Sequence, residues 1–232
     1  MSSLILLPGL ACDAALFRAQ QPALSVHHHV HISDVHFRFD TLPEMAAALL
    51  AEHPGAHVLV GTSMGGMLAL EVQHQVPDRV AGLALLGSTA RPDTPAVSAL
   101  RREAITLFEA GRMDEVLRGN VPFAFDIAGA NNLALVHDYL AMMRRAGAGA
   151  LVRQNRAVMA RRDQRPGLAR IRCPLLVACG DADLLTPYEC SAEVAAAVPQ
   201  ARLERVAHCG HMLTWEQPAA VNALLLDWLL TV

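Results

Sequence analysis

Residues 56–86 read AHVLVGTSMGGMLALEVQHQVPDRVAGLALL, and the order of features in this stretch decides the fold class. Residues 56–60 are a short apolar run suited to a strand buried on both faces. The turn GTSMGG follows, then an apolar helix over 64–76 closed by Pro77, then a second apolar strand over 80–86. Strand, tight turn, helix, strand is a βαβ unit, and such units build parallel sheets. Working outward, SLILL at 3–7, stopped by Pro8-Gly9, predicts a first strand, and 30–35 a weaker second one. Thr41, Pro43 and Glu44 announce a helix over 42–52. Strand character returns at 174–179 and 201–206, with a last helix over 218–230. Thr186, Pro187 and Glu189 have capping-box spacing for the helix between those two strands. Between 88 and about 164 the pattern is helical only, near 97–110, 113–118, 131–145 and 148–162. The expected fold is α/β, a mostly parallel open sheet of about six strands flanked by helices. Residues 1–88 and 165–232 form the core, and 89–164 a helical cap insertion.

The 232 residues suit one well-cored domain; 53% are hydrophobic and 18% charged, which excludes a disordered or fibrous chain. No apolar run approaches the roughly 18 residues of a membrane helix, and SLILL is too short and lacks the basic flank of a signal peptide. A cytoplasmic, membrane-free protein is expected. Five cysteines, at 12, 173, 179, 190 and 209, show no CxxC spacing, so reduced, mostly buried thiols are expected rather than disulfides or zinc. A net charge of −3 gives no pull towards nucleic acid. All 19 cationic side chains are arginine, so a lysine Schiff base is excluded.

Gly61-Thr62-Ser63-Met64-Gly65 fits GxSxG between a strand and a helix, the context that gives the pattern meaning. A turn this tight strains the serine backbone, and Gly61, Gly65 and Gly66 supply the room for strand and helix to pass closely. The turn also sets Ser63 at a helix N-terminus, where free N–H groups favour developing negative charge. A serine nucleophile needs a histidine base oriented by a carboxylate. His211, with His208 as the rival base, follows the last strand; Asp183, with Asp181 as the rival acid, follows the strand at 174–179. All stand past the carboxyl ends of strands, where sites in open α/β sheets form.

Gly61–Gly66, Gly180–Pro187 and His208–Pro218 resemble the α/β-hydrolase fold superfamily, closest to small bacterial carboxylesterases with a helical cap. The resemblance favours Asp183 over Asp181, which is read as a turn residue, and His211 over His208. It implies an oxyanion hole from the N–H groups of Met64 and Leu10, the latter in a loop that begins Pro-Gly where the family usually has His-Gly. The chain departs from the family in lacking the N-terminal hairpin, since two strands usually precede the one at 3–7, so about six strands are expected rather than eight. The activity the resemblance implies is hydrolysis of a carboxylic ester or thioester of a small molecule through Ser63, His211 and Asp183, without cofactor or metal. Alternatives that keep the residues are a ligand-binding signalling protein, or a lyase or carbon–carbon hydrolase.

His27, His28, His29, His31 and His36 invite a metal reading, but without regularly spaced carboxylates or cysteines the plainer reading is an exposed strand face carrying His27, His29 and His31. Nine arginines against one acid between 144 and 172 fit a solvated helix face, or steering of an anionic substrate or acyl carrier by residues such as Arg153 and Arg156. Phe108, Phe123, Phe125, Met142 and Met143 are expected to bury within the insertion, some lining an acyl pocket.

Overall fold

The computed structural model describes residues 3–232. Strands β1 (Leu4–Leu7), β2 (Val30–Ile32), β3 (His57–Thr62), β4 (Val80–Leu86), β5 (Leu175–Gly180) and β6 (Ala201–Val206) form one sheet. Their order is β2-β1-β3-β4-β5-β6, and every pairing is parallel. Side-chain alternation splits the core across the sheet. Leu4, Leu6, Val60 and Leu86 face a layer built from helix Pro218–Leu229, Phe17, Trp215 and the helices between β4 and β5. Ile5, Leu7, Leu59 and Leu85 face helices Leu42–Glu52, Met64–Gln75 and Tyr188–Ala196. Both faces are covered, which is why the strands read as unbroken apolar runs.

Between β4 and β5 lie helices Pro95–Glu109, Met113–Ala124, Ile127–Asn131 and Leu133–Met159 and the short turn Arg165–Leu168. The two stretches read as 131–145 and 148–162 are two helices meeting at a kink at Gly147, whose φ of 78° leaves the helical region, and they span Leu133–Met159 in all. The Thr41 capping box forms with both of its hydrogen bonds.

Three expectations need correction. The second strand stops at Ile32, and Val35–Arg38 is a helical turn. There His36 is buried, with Nε2 hydrogen-bonded to the Cys12 carbonyl at 2.8 Å; that tertiary contact overrides the weak strand signal. His27 and His29 lie in the exposed turn before β2, so no strand face carries them together with His31. The capping box at Thr186 does not form: Pro187 stands at the helix N-cap without a side-chain cap, because the Thr186 hydroxyl is bonded to Asp183. All five cysteines are unpaired thiols, four of them buried. Among the described residues no helix is long and apolar enough to cross a membrane, and no group of three or more His, Cys, Asp or Glu side chains is placed to hold a metal.

Candidate active site

Because the sheet is wholly parallel, the loops leaving the carboxyl ends of β1, β3, β5 and β6 open on the same edge. Ser63 follows β3 directly. It has φ 54° and ψ −117°, a conformation costly for a residue with a Cβ, and its N–H donates to the Leu86 carbonyl at 2.9 Å. The turn closes only because its flanks lack side chains: a Cβ on Gly61 would strike the Gly65 carbonyl, and one on Gly65 the Leu7 carbonyl. Ser88 Oγ donates to the Ser63 carbonyl at 2.8 Å and steadies the elbow from β4's end.

Leu7 pairs with Gly61, so the loop after β1 leaves the sheet beside the elbow. A Cβ on Gly9 would lie 3.4 Å from that of Ser63. Among the described residues neither the Leu10 nor the Met64 N–H donates to a protein acceptor. Ala11, at φ 57°, is held by its N–H to Gln154 Oε1 at 2.6 Å, and Gln154 Nε2 reaches the His36 carbonyl at 2.9 Å. A fully buried glutamine of helix Leu133–Met159 thus clamps this loop.

Past β5, Asp183 is buried, and its carboxylate accepts from the N–H groups of Leu185 and Thr186, both at 2.9 Å, and from Thr186 Oγ1 at 2.8 Å. Its fourth partner is His211 Nδ1 at 2.8 Å. Burial opposes ionisation of Asp183, but the charge and hydrogen bond of His211, with the Thr186 bonds, outweigh it and hold the carboxyl below its ordinary range. Burial likewise works against the charged form of His211, yet Asp183 and the nearby Glu216 charge leave its pKa above the usual imidazole value. His211 and Ser63 line one cavity of about 440 Å³ together with Leu10 and Met64. Among the described residues the Ser63 hydroxyl makes no hydrogen bond, so cavity rather than contact brings it together with His211.

The rival residues stand elsewhere. Asp181 Oδ1 accepts from the Cys209 N–H at 3.1 Å, and His208 is exposed at φ 53° and does not line the cavity. Cys12 does line it, but burial pushes its thiol far up, away from the thiolate a nucleophile requires. Phe108, Phe123 and Met143 also line it, while Phe125 and Met142 are buried in the adjoining core. The arginine-rich segment is largely consumed in pairs: Arg144 with Asp114, Arg145 with Asp13, Arg156 with Glu109, Arg165 with Asp163. Arg153 lies 3.4 Å from Asp40, and neither it nor Arg156 lines the cavity.

Glu216 is a site residue that sequence reasoning missed. Its Oε1 accepts from the N–H groups of Gly210 and Met212, on either side of His211, at 3.0 and 3.2 Å, and its Oε2 from the Asp126 N–H at 2.7 Å. Burial, opposed by those amide bonds, pushes its carboxyl up to about 7. The only signal was a lone acid in the segment HMLTWEQP at 211–218, which folds as the helical turn Leu213–Glu216. Thr186 was read as a helix cap, and Gln154 offered no local signal.

A parallel sheet carrying a strained serine elbow, with a histidine on the same cavity bonded to a buried aspartate, defines the class. The α/β-hydrolase fold profile matches residues 3–218, and the chain belongs to that family. A Serratia proteamaculans protein bearing the provisional name carbamate hydrolase RutD is 27% identical, over 98% of this chain and 91% of that one. A pimeloyl-[acyl-carrier protein] methyl ester esterase of Aromatoleum aromaticum is 30% identical over 90% and 86%. The structure of a Thermogutta terrifontis esterase superposes with a TM-score of 0.90 over 99% of this chain and 89% of that one, at 24% identity.

Proposed function

We propose that the protein is a serine hydrolase acting on carboxylic esters or thioesters of small molecules. The observation that carries this reading is the strained Ser63 opening on the same cavity as His211, whose Nδ1 is bonded to the buried Asp183 behind it. Ser63 Oγ attacks the carbonyl carbon as His211 Nε2 takes its proton, while Asp183, bonded at Nδ1, fixes the ring and stabilises the imidazolium. The Leu10 and Met64 N–H groups hold the oxyanion. Collapse of the intermediate expels the alcohol or thiol, which leaves with the proton from His211. Water, deprotonated by His211, then releases the acid and restores Ser63. The chemistry calls for no cofactor. Residues 89–164 act as the cap over the core formed by 1–88 and 165–232, and the unpaired thiols fit a reducing compartment, the cytoplasm.

The relative named for carbamate hydrolysis makes a carbamate the natural second substrate, since the same acyl chemistry would cleave it. The test is a panel of p-nitrophenyl esters of graded acyl length, acyl thioesters and a carbamate, compared by kcat/KM. Ser63→Ala should lose about 10⁴- to 10⁶-fold in rate while keeping its fold. A serine-directed phosphonate should add one mass to the wild type and none to the variant. Undiminished hydrolysis by Ser63→Ala would remove the mechanism, and wild-type turnover of no substrate in the panel would favour a binding protein of the same fold.

A further inference from the structure

The wall of the Ser63 cavity is apolar over most of its extent, with Met67, Ala104, Phe108 and Val158 among its residues, yet the Arg101 side chain enters it from helix Pro95–Glu109. Arg101 Nε donates to Asp93 Oδ2 at 2.7 Å, and Nη1 to Asn155 Oδ1 at 2.9 Å. The other oxygen of Asp93 accepts from Arg161 Nη1 at 2.7 Å. Two guanidinium groups therefore share one carboxylate. The Asp93 and Arg161 side chains are 4% and 3% exposed, and that of Arg101 25%. The remaining bonds of Arg161 go to the carbonyls of Arg91 and Val158, which are neutral. Arginine stays protonated in proteins, so this group keeps one positive charge without a carboxylate partner beside a largely apolar cavity. Among the described residues no other carboxylate pairs with either arginine, and Arg101 Nη2 donates to no protein acceptor.

We propose that Arg101 receives a carboxylate carried by the substrate, so that the preferred substrates are esters or thioesters that also bear a free carboxylate. The inference rests on reading the Ser63 cavity as the substrate site, and it names the substrate class. A monoanion matches the single surplus charge. A second carboxylate would give each guanidinium its own counter-charge and fill the unused Nη2, whereas an all-apolar acyl chain would desolvate Arg101 without replacing its water. The apolar wall suits the methylenes between ester and acid.

The test uses Ser63→Ala, so that binding is read apart from chemistry, with monomethyl adipate and methyl hexanoate as probes in calorimetry. The acid should bind about 10- to 100-fold more tightly, the contribution of a charge-assisted hydrogen bond. Adding Arg101→Gln should abolish that preference, Arg101→Lys should retain part of it, and rising salt should shrink it. Asn155→Asp, which leaves Arg101 in place but supplies it with a counter-charge, should abolish the preference too and covers the case in which Arg101→Gln fails to fold. Equal affinities in Ser63→Ala, or a preference that survives both Arg101→Gln and Asn155→Asp, would overturn the assignment. A purely structural Arg101 would weaken both probes alike. A wild type that prefers the acid yet hydrolyses no ester would sink the esterase reading and with it the ester part of this one, leaving only Arg101 as a carboxylate-binding residue of the cavity.

Discussion

His211 must be neutral to take a proton from Ser63, and Asp183 and Glu216 both favour its charged form. The acid limb of kcat/KM should therefore lie above the free-imidazole value of about 6.5, activity falling as the pH drops through it. Asp183→Asn should cost about 10⁴-fold in kcat and Asp181→Asn far less, because of the two carboxylates only Asp183 meets His211 Nδ1. Glu216→Gln leaves one acceptor oxygen where three amide N–H groups now converge. It should lower kcat by about 10- to 100-fold with little change in KM, the scale of a small misplacement of a reacting group. It should also move the acid limb to lower pH, which a merely structural role would not do. The placement of Ser63, Asp183 and His211 past strand ends was legible because elbow glycines and strand-end loops leave local marks. Glu216 and Thr186 were not, since their value lies in backbone N–H groups that converge only on folding.

Secondary-structure elements were readable wherever the chain's own chemistry closes them. Thr41 and Glu44 satisfy each other across one turn, so the helix they start is where the sequence places it. Thr186 has the same spacing, but a buried carboxylate competes for its hydroxyl and wins. Gln154 shows the limit most plainly: its partner Ala11 is 143 positions away. Gln154→Met keeps the length of the side chain but strands a buried N–H and a buried carbonyl, each costing about 1–3 kcal/mol. Lower thermal stability is expected, together with slower phosphonate labelling of Ser63, as Ala11 adjoins Leu10 in the proposed oxyanion loop. Normal labelling in a destabilised protein would confine Gln154 to a structural role.

For the molecule as a whole, the parallel sheet followed from one βαβ unit and the apolar runs around it, but the substrate did not, because cavity walls assemble from helices with no fixed spacing between them. Stability should depend on pH in a direction set by named groups. Glu216, whose carboxyl is raised from 4.5 to about 7 on folding, favours the native state when protonated, and that benefit is lost as pH rises between those values. His211, also raised, contributes stability that is present below about 6.5 and lost as pH climbs through its folded value. Asp183, lowered, acts only at the acid end. Below about 6.5 His36 and His53, both lowered by burial, act in the opposite sense, so the melting temperature should decline as the pH rises from about 6.5 to 8, and less steeply in Glu216→Gln; a flat wild-type profile over that range would contradict the assignment. The outer strands of the sheet have a further consequence. β2 is three residues long, and β6 carries Arg202 and Glu204, with Arg202 tied at 2.7 Å to Glu204 and at 2.5 Å to Asp227. Short or charged borders are poor templates for a foreign strand, so lateral growth into aggregates is discouraged on both sides.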